Sequence, residues 1–467
     1  MAPICRHAWY GDDFTGASDT LATVADAGLR ALLFLGVPTP ARLAQAGPLD
    51  AIGVAGAARA MDPAAMAAEL APVAPFFASL QARVVHYKCC STFDSSPTTG
   101  SLGAALRALS PALAPAFVAV LGGQPSLGRY CVFGNLFARA GSDGEVCRID
   151  RHPTMSRHPV TPMLEADLRR HLGAQGLREV SLIDMRVLDA DAPGGTIDTA
   201  DGTADGTALD AALDAALRSR PDAILFDVLN AAHLARIGRA LLARAVAAPV
   251  LALGASSVAQ ALIAHWRAVG DLPATPPVLR VAPADGPVFL LAGSQSPWTA
   301  RQVDAALAMR DGDGVPRYAG VDIDVDALAR GAQPLEDLAS TCARLLRDGR
   351  SVLARTSPAR EGGPAPLAVA QHCSTLLRRV LELAPAVRRV GVAGGDTSSF
   401  AVRALDVWAL AHVGSLGPGV SLMRARAGSA RYDGIELMLK GGQMGTPSTF
   451  GDLLDGARWS RPPSARS

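Results

Sequence analysis

The sequence predicts an α/β protein with two domains, each built from a mostly parallel sheet covered by helices. Short apolar runs alternate with longer helical stretches along the chain, which is typical of parallel strands joined by crossover helices. The 467 residues are enough for two or three domains. Hydrophobic residues make up 49% of the chain and charged residues 19%, so a large core can form and general disorder is excluded.

Each strand is predicted from a short apolar run bounded by turn residues. The first run, Ala8–Tyr10, leads into Gly11 and two aspartates. Seven more strands are expected in the first part of the chain, at Ala31–Leu35, Ala51–Ala55, Arg83–Tyr87, Phe117–Leu121, Val180–Ile183, Ala223–Val228 and Val250–Leu253. After a break, six follow at Val288–Ala292, Gly320–Ile323, Ser351–Ala354, Arg389–Ala393, Val420–Arg424 and Glu436–Leu439.

A proline-rich segment, Asp271–Pro287, predicts the domain boundary. It holds five prolines, which is typical of a semi-stiff linker. The expected organisation is an N-terminal domain over residues 1–270, the linker, a C-terminal domain over residues 288–457 and a loose tail over residues 458–467.

Charge and composition exclude several function classes. The 44 basic and 43 acidic residues leave a net charge of +1, without the basic stripe of a nucleic-acid binder. No apolar run reaches the length of a membrane helix, and no secretory leader is expected. The seven cysteines show no framework spacing, so we expect reduced thiols and a cytoplasmic protein. A homo-oligomer is left open.

Only two of the 44 basic residues are lysines, Lys88 and Lys440. A coding bias that replaces lysine by arginine explains the general trend. The two remaining lysines then mark positions where a compact ammonium is needed instead of a planar guanidinium. The alternative is that both are chance survivors on the solvated surface.

Polar side chains directly follow several of the predicted strands in the first part of the chain. Asp12 and Asp13 offer adjacent carboxylates, one of which could act as a general base or hold substrate hydroxyls. The alternative is that Asp13 or Thr15 only caps the following helix. Lys88 is followed by a dense set of hydrogen-bonding side chains, which suits a small polyhydroxylated anion: Ser91, Thr92, Asp94 and Ser95. Arg59 follows another strand and could pair with a carboxylate.

Three later clusters are rich in Gly, Ser and Thr, and each follows a strand. They are Gly293-Ser294-Gln295-Ser296, Gly394-Gly395-Asp396-Thr397-Ser398 and Lys440-Gly441-Gly442-Gln443-Met444-Gly445. Glycine loops and helix N-termini bind phosphate groups, so these clusters predict a nucleotide site. The alternative is tight strand-to-helix turns. Neither a P-loop nor a dinucleotide fingerprint is present.

The helix starts within these clusters are predicted from capping residues. Ser296 is expected to cap a helix with Pro297 at its first position. Ser398 or Ser399 is expected to cap a helix that runs through Leu405, Trp408 and Leu410.

The sequence does not favour a metal site made by the protein. The histidines of the proline-rich loop, His152 and His158, are expected to stay in a nonhelical segment. Cys131 and Cys147 lie too far apart in sequence for a zinc motif.

Together these clusters resemble the motifs of the four-carbon acid sugar kinase family. The six motifs are spread over residues 10 to 446 in the family's order. They are Asp12–Ala17, Lys88–Ser95, His158–Met163, Gly293-Ser294-x-Ser296, Gly394–Ser398 and Lys440-Gly441-x-x-x-Gly445. Departures from the family pattern occur at Tyr10-Gly11, Asp396, Gly442 and Gln443-Met444.

The resemblance implies an ATP-dependent kinase, with magnesium, that phosphorylates the terminal hydroxyl of threonate, erythronate or 3-oxo-tetronate. It implies an active site in the cleft between the two domains and a catalytic role for Asp12 or Asp13. The residues expected at the sugar acid are Asp12, Arg59, Lys88, Cys89, Cys90 and Ser91. Those expected at ATP are Ser294, Ser296, Gly394, Gly395, Asp396, Thr397, Lys440, Gly441 and Gly445.

Two rival functions remain at this stage. One is a non-catalytic sensor whose two lobes close on a sugar acid. The other is a different nucleotide-dependent enzyme, such as a ligase or a dehydrogenase. The double aspartate favours catalysis, because binding alone needs no base.

Overall fold

The computed structural model describes residues 5–141, 144–190, 208–294, 296–329, 332–357 and 365–457. The predicted tail, residues 458–467, therefore lies outside the described residues. The chain divides into two compact units, whose described residues are 5–277 and 278–457.

The first unit contains a sheet of eight parallel strands with helices between them. Its sheet strands are β1 (His7–Gly11), β2 (Ala31–Phe34), β3 (Ala51–Ala55), β4 (Val84–Lys88), β5 (Val118–Leu121), β9 (Val180–Ile183), β10 (Ala223–Phe226) and β11 (Val250–Gly254). Their order across the sheet is β2-β3-β1-β4-β11-β5-β10-β9. Its helices are α1 (Phe14–Asp26), α2 (Pro40–Ala46), α3 (Pro63–Leu70), α4 (Val73–Ser79), α5 (Leu102–Leu113), α6 (Leu168–Ala174), α7 (Met185–Ala190), α8 (Ala208–Arg218), α9 (Ala231–Arg244) and α10 (Ser257–Ala268).

The first unit also contains a small antiparallel sheet that the sequence analysis does not predict. Its strands are β6 (Arg129–Val132), β7 (Asn135–Arg139) and β8 (Val146–Arg148). Phe133 and Gly134 form the β6–β7 turn, both with positive φ. The buried Asp227 carboxylate, which follows β10, accepts their backbone N–H groups at 2.6 and 2.9 Å. These bonds fix the small sheet beside β10.

Central strands of the first unit are buried on both faces, as continuous apolar runs predict. All five residues of β1 are buried, including Trp9 and Tyr10. A Cβ on Gly53 would lie 2.2 Å from the Trp9 ring, and one on Gly56 would lie 1.8 Å from the Tyr10 hydroxyl oxygen. Glycine at these two positions is therefore what lets β1 carry large aromatic side chains.

The second unit contains a mixed sheet of seven strands. They are β12 (Val288–Ala292), β13 (Tyr318–Ile323), β14 (Ser351–Thr356), β15 (Arg389–Ala393), β16 (Val407–Gly417), β17 (Val420–Ala427) and β18 (Glu436–Lys440). Their order is β13-β14-β12-β15-β18-β17-β16, and only the pairings of β17 are antiparallel. The helices are α11 (Pro297–Ala308), α12 (Val325–Ala329), α13 (Ala332–Arg347), α14 (Pro366–Leu383), α15 (Gly395–Ala404) and α16 (Thr449–Asp455).

The predicted fold class is confirmed: both units are α/β, with mostly parallel strands covered by helices. Every strand predicted from an apolar run exists within a few residues of its expected bounds.

The helix predicted through Leu405, Trp408 and Leu410 is wrong. Helix α15 ends at Ala404, and Asp406 adopts a positive φ. Trp408 and Leu410 lie buried in β16, which forms a hairpin with β17 through Gly417 and Gly419. The spacing of Leu405, Trp408 and Leu410 suited a helix, but the glycine turn and the hairpin partner favour a strand.

Candidate active site

The aspartate pair follows β1, a strand in the middle of the first sheet. Gly11 is in register with Ala55 of β3 and with Lys88 of β4. The carboxyl ends of these three strands therefore lie side by side at one edge of the sheet, where ligands of open parallel sheets bind. This position brings together the residues that we call the aspartate cluster: Asp12, Asp13, Arg59 and Lys88.

Arg59 bridges the two aspartates. Its Nη2 donates to Asp12 Oδ1 at 2.7 Å and to Asp13 Oδ1 at 2.8 Å, and its Nε donates to Asp12 Oδ2 at 3.3 Å. Asp12 is only 3% exposed. Burial raises the pKa of Asp12, while Arg59 opposes that rise. Arg59 was expected to be able to pair with a carboxylate and to contact the sugar acid, and its guanidinium here is paired with the two aspartates.

Asp13 both caps a helix and keeps one oxygen available. Its Oδ1 accepts the backbone N–H of Gly16 at 2.8 Å at the start of α1. Among the described residues, no hydrogen-bond donor contacts its Oδ2, and the side chain is 29% exposed. Capping and catalysis are thus compatible at Asp13, because they use different oxygens.

Lys88 is buried, with 4% of its surface exposed, so the surface alternative for this lysine is wrong. Its Nζ donates to the backbone oxygen of Cys89 at 2.7 Å. A Cβ on Gly16 would lie 2.4 Å from Lys88 Nζ and 2.5 Å from Asp13 Oδ1. Gly16 therefore provides the space that lets the ammonium approach Asp13.

The segment after β4 turns sharply and is mostly buried. Phe93 has a positive φ. Cys89, Ser91 and Thr92 are buried, whereas Cys90 is partly exposed. Thr92 Oγ1 contacts Cys90 Sγ at 2.8 Å and donates to Asp94 Oδ1 at 2.5 Å. Burial raises the pKa of Cys90 to about 11, so its thiol stays protonated at neutral pH. The segment offers hydroxyls and a thiol next to Lys88, without a reactive thiolate.

The three Gly/Ser/Thr-rich clusters of the second unit follow three adjacent strands, β12, β15 and β18. Ala292 is in register with Ala393, and Ala393 with Lys440. Gly293 N donates to Ala393 O and Gly394 N to Lys440 O, at 3.0 and 2.9 Å. The clusters therefore meet at one edge of the sheet, as a shared ligand would require.

Helix α15 begins directly at this edge. Gly394, with φ of +132°, is its N-cap, and no side chain caps it. Ser398 and Ser399 instead hydrogen-bond Val392 O and Gly395 O, so the predicted serine cap is wrong. Space for a larger residue is lacking at Gly394, where a Cβ would lie 3.0 Å from Thr397 Oγ1. A Cβ on Gly395, by contrast, meets no atom within 4 Å.

The predicted cap at Ser296 is confirmed. Ser296 Oγ accepts the N–H of Trp298 at 3.2 Å, and Pro297 occupies the first position of α11. Ser294 Oγ accepts the N–H of Ser296 at 3.2 Å. The backbone of Asp396 is in the first turn of α15, but its side chain lies outside what the structure describes.

Lys440 is a buried charged side chain at this edge, with 1% of its surface exposed. Its Nζ donates to Thr299 Oγ1 at 3.1 Å and to Gly441 O at 3.0 Å. Burial lowers the pKa of Lys440 to about 8. The ammonium therefore lies at the base of the Gly441–Gly445 loop without a carboxylate partner among the described residues.

Three side chains of α11, which the sequence analysis missed, hold this loop. Thr299 Oγ1 donates to Gly442 O, Trp298 Nε1 to Gly445 O, and Gln302 Nε2 to Met444 O, at 2.9, 3.3 and 3.1 Å. A Cβ on Gly442 would lie 2.8 Å from Ser294 Oγ, so the loop packs closely against Ser294 at this point. No local sequence signal marks these contacts, because they join segments about 140 residues apart.

The described part of the chain contains no cluster of side chains suited to bind a metal ion. No group of three or more His, Cys, Asp or Glu side chains is arranged there to hold an ion. His152 Nδ1 accepts the backbone N–H groups of Thr154 and Met155, both at 3.2 Å. This histidine thus shapes its own loop.

Two family models match the chain. Residues 7–262 match a sugar-binding N-terminal domain, and residues 289–450 match a nucleotide-binding C-terminal domain. The described elements of the first match form the first unit, and those of the second match form the second unit.

Curated relatives extend over nearly the whole chain. A 3-oxo-isoapionate kinase from Paraburkholderia graminis is 37% identical over 96% of this chain and 94% of its own. A 3-oxo-tetronate kinase from Methylobacterium radiotolerans is 31% identical over 95% of this chain and 97% of its own. A sugar-binding domain followed by a nucleotide-binding domain, together with kinase relatives over nearly the whole chain, identifies the class as a kinase. The chain belongs to the four-carbon acid sugar kinase family and is a phosphotransferase.

The fold also has a solved counterpart. The crystal structure of a Haemophilus influenzae protein of the DUF1537 family superposes with a TM-score of 0.72 at 21% identity, over 96% of this chain and 98% of that one. In the described residues, no helix has both the length and the apolar character needed to cross a bilayer.

Proposed function

We propose that this protein is an ATP-dependent kinase that phosphorylates the terminal hydroxyl of a four-carbon sugar acid such as threonate, erythronate or 3-oxo-tetronate. The observation that carries the proposal is the aspartate cluster, in which Arg59 holds Asp12 and Asp13 while Asp13 Oδ2 stays available. The kinase relatives favour phosphoryl transfer over a sensor, a ligase or a dehydrogenase.

The proposed chemistry assigns proton transfer to Asp13. Its Oδ2 accepts the proton of the substrate hydroxyl while the hydroxyl oxygen bonds to the γ-phosphorus of ATP. The bond between that phosphorus and the bridging oxygen breaks, and ADP leaves. Lys88 and the hydroxyls of Ser91 and Thr92 hold the polyhydroxylated acid, since they supply a cation and hydrogen-bonding groups beside Asp13.

The nucleotide is assigned to the second unit. The backbone N–H groups of Gly394–Thr397 and Gly441–Gly445, with the hydroxyls of Ser294 and Ser296, provide donors for the phosphates. Lys440 supplies a positive charge beneath the loop. Magnesium enters as part of the substrate, bound to the β- and γ-phosphates, and such ions commonly keep several water ligands.

A cytoplasmic location is part of the same proposal. ATP is the phosphoryl donor, and all seven cysteines are free thiols, as expected in a reducing compartment.

The test is a coupled assay with ATP, magnesium and a panel of acids. The panel contains threonate, erythronate, 3-oxo-tetronate and 3-oxo-isoapionate, the last because of the name of one relative. We expect ADP and an acid-stable phosphate ester with at least one of them. The proposal is overturned if no acid of the panel raises the rate of ADP formation above the rate measured without acid. Asp13→Asn serves as the control for a contaminating kinase, because it should lose the signal.

A further inference from the structure

The turn that follows β5 holds two buried polar atoms without a hydrogen-bond partner among the described residues, Gln124 Nε2 and Arg129 Nε. The two residues form an antiparallel pair. Gln124 N donates to Arg129 O at 3.0 Å, and Arg129 N donates to Gln124 O at 3.2 Å. Side chains of such a pair project to the same side, with Cβ atoms about 5 Å apart.

This turn lies at the same sheet edge as the aspartate cluster. Lys88 is in register with Gly254 of β11, and Gly254 with Leu121 of β5. Cys90 lies within electrostatic reach of Arg129, as it does of Arg59. The turn is further fixed to α10, since Gln260 Nε2 donates to Ser126 Oγ at 3.0 Å.

Arg129 is a partly buried cation with a buried Nε, and it has no counter-ion among the described residues. Its Nη1 donates to the backbone oxygen of Leu127, and no carboxylate in the described residues forms an ion pair with it. Burial lowers the pKa of Arg129, and the like charge of nearby Arg139 adds to this effect. Two arginine charges within electrostatic reach of each other, neither ion-paired with a carboxylate of the described residues, favour an anion at this place.

Arg59 is less suited than Arg129 to bind the carboxylate of a substrate. Asp12 and Asp13 already neutralise its charge at 2.7 and 2.8 Å. A carboxylate approaching Arg59 would also meet two negative groups. Arg129 is therefore the better partner for the carboxylate of a sugar acid.

We propose that Arg129, assisted by Gln124, binds the carboxylate of the substrate and so selects acids over neutral polyols. This inference rests on the proposed function and adds to it a specificity-determining residue. Arg129 donates a charge-assisted hydrogen bond from Nε, and Gln124 donates from Nε2. Asp13 and Lys88 are then left for the hydroxyl end of the same molecule.

The test compares the intact wild-type enzyme with Arg129→Gln. Arg148→Gln is the matched control, because Arg148 lies on the same small sheet but is exposed and paired with Asp150. KM is measured for ATP, for the best acid of the panel and for threitol, which has hydroxyls but no carboxylate. Arg129→Gln should raise the KM for the acid about 10- to 100-fold, as for the loss of a charge-assisted hydrogen bond. The KM values for ATP and threitol should stay within about twofold.

A second variant covers the case that Arg129→Gln does not fold. Gln124→Glu keeps the side-chain shape and places a carboxylate beside Arg129, so it should exclude the acid in the same selective way. Calorimetric titration of the acid into each variant gives a readout that needs no turnover.

The outcomes separate the two proposals. Wild-type protein that neither binds nor phosphorylates any acid of the panel overturns the proposed function, and this inference with it. Wild-type protein that uses an acid, together with an Arg129→Gln variant of unchanged acid KM, overturns only the role of Arg129. Equal losses for the acid and threitol would also overturn it, since they would show a structural effect.

Discussion

At the scale of single residues, the two adjacent aspartates have different environments and therefore different roles. Asp12 is buried, and Arg59 contacts both of its oxygens. Asp13 is partly exposed, and only its Oδ1 is engaged by Arg59 and Gly16. In the proposed reaction, the accessible oxygen makes Asp13 the proton acceptor, while Asp12 holds the guanidinium in place.

Replacing each aspartate by asparagine should separate these roles. Asp13→Asn should lower kcat by about 10²- to 10⁴-fold, the usual effect of losing a general base. Its unfolding temperature should change little, because asparagine is as good a helix N-cap as aspartate. Asp12→Asn should instead lower the unfolding temperature, since it breaks a buried ion pair in which Arg59 contacts both carboxylate oxygens, whereas the ion pair of Asp13 is partly exposed and uses one oxygen. Steady-state kinetics and thermal unfolding measure both. Activity within threefold of wild type for both variants would contradict a catalytic base in this pair.

The sequence could predict which residue types would gather, but not every contact between them. Lys88 and Lys440 stood out by rarity, and both are buried at strand ends. The pairing of Arg59 with the aspartates was not predicted, because it joins segments 46 and 47 residues apart. Arg129 could not be singled out either, since arginine accounts for nearly every basic residue of this chain.

At the scale of elements, the strand-end loops were predictable because glycine and serine clusters directly followed apolar runs. The segment after α15 was not, because Leu405, Trp408 and Leu410 have a spacing that suits either a helix or a strand. Tertiary pairing decided the outcome: Leu410 of β16 pairs with Ala425 of β17. The small sheet β6–β8 was missed since its strands are short, and Asp227, distant in sequence, fixes its turn.

The loop after β18 leads to a prediction on pH dependence. Burial lowers the pKa of Lys440 to about 8 in the free protein. A bound phosphate favours the ammonium form and so raises this pKa in the complex. Below pH 8 the lysine is charged in both states, and affinity is constant. Above pH 8 the free protein loses the proton first, so the affinity for ADP should fall by up to about tenfold per pH unit.

Calorimetric titration of ADP between pH 7.5 and about pH 9.5 measures this slope, because the phosphates of ADP are already ionised in that range. Lys440→Met provides the control. It should bind ADP more weakly at pH 7.5 and show no slope, since the titrating group is gone. A slope that persists in Lys440→Met would assign the titration to another group, and a flat profile in the wild type would contradict the role of Lys440.

At the scale of the whole molecule, each unit has its own strands and its own set of strand-end loops. The aspartate cluster and Arg129 belong to the first unit, and the glycine loops belong to the second. The two family models, one for sugar binding and one for nucleotide binding, divide the chain in the same way. The two ligands should therefore respond to different substitutions.

Two variants of the full chain, each tested with both ligands, show whether each ligand binds to its own unit. Gly395→Val adds a side chain in open space at the start of α15, so it should block ADP without disturbing the fold. Lys88→Arg should weaken the binding of the acid, because the space beside Gly16 holds an ammonium but not a planar guanidinium.

The measurement is the rise in Tm that each ligand causes. A ligand at about 100 times its Kd stabilises the protein by about 2.7 kcal/mol, which corresponds to a rise in Tm of about 5–10 °C. Gly395→Val should lose only the rise caused by ADP, and Lys88→Arg only the rise caused by the acid. Gly312→Val, whose side chain also meets no neighbour, should keep both. Loss of the acid response in Gly395→Val, or of the ADP response in Lys88→Arg, would show that the division of ligands between the units is wrong.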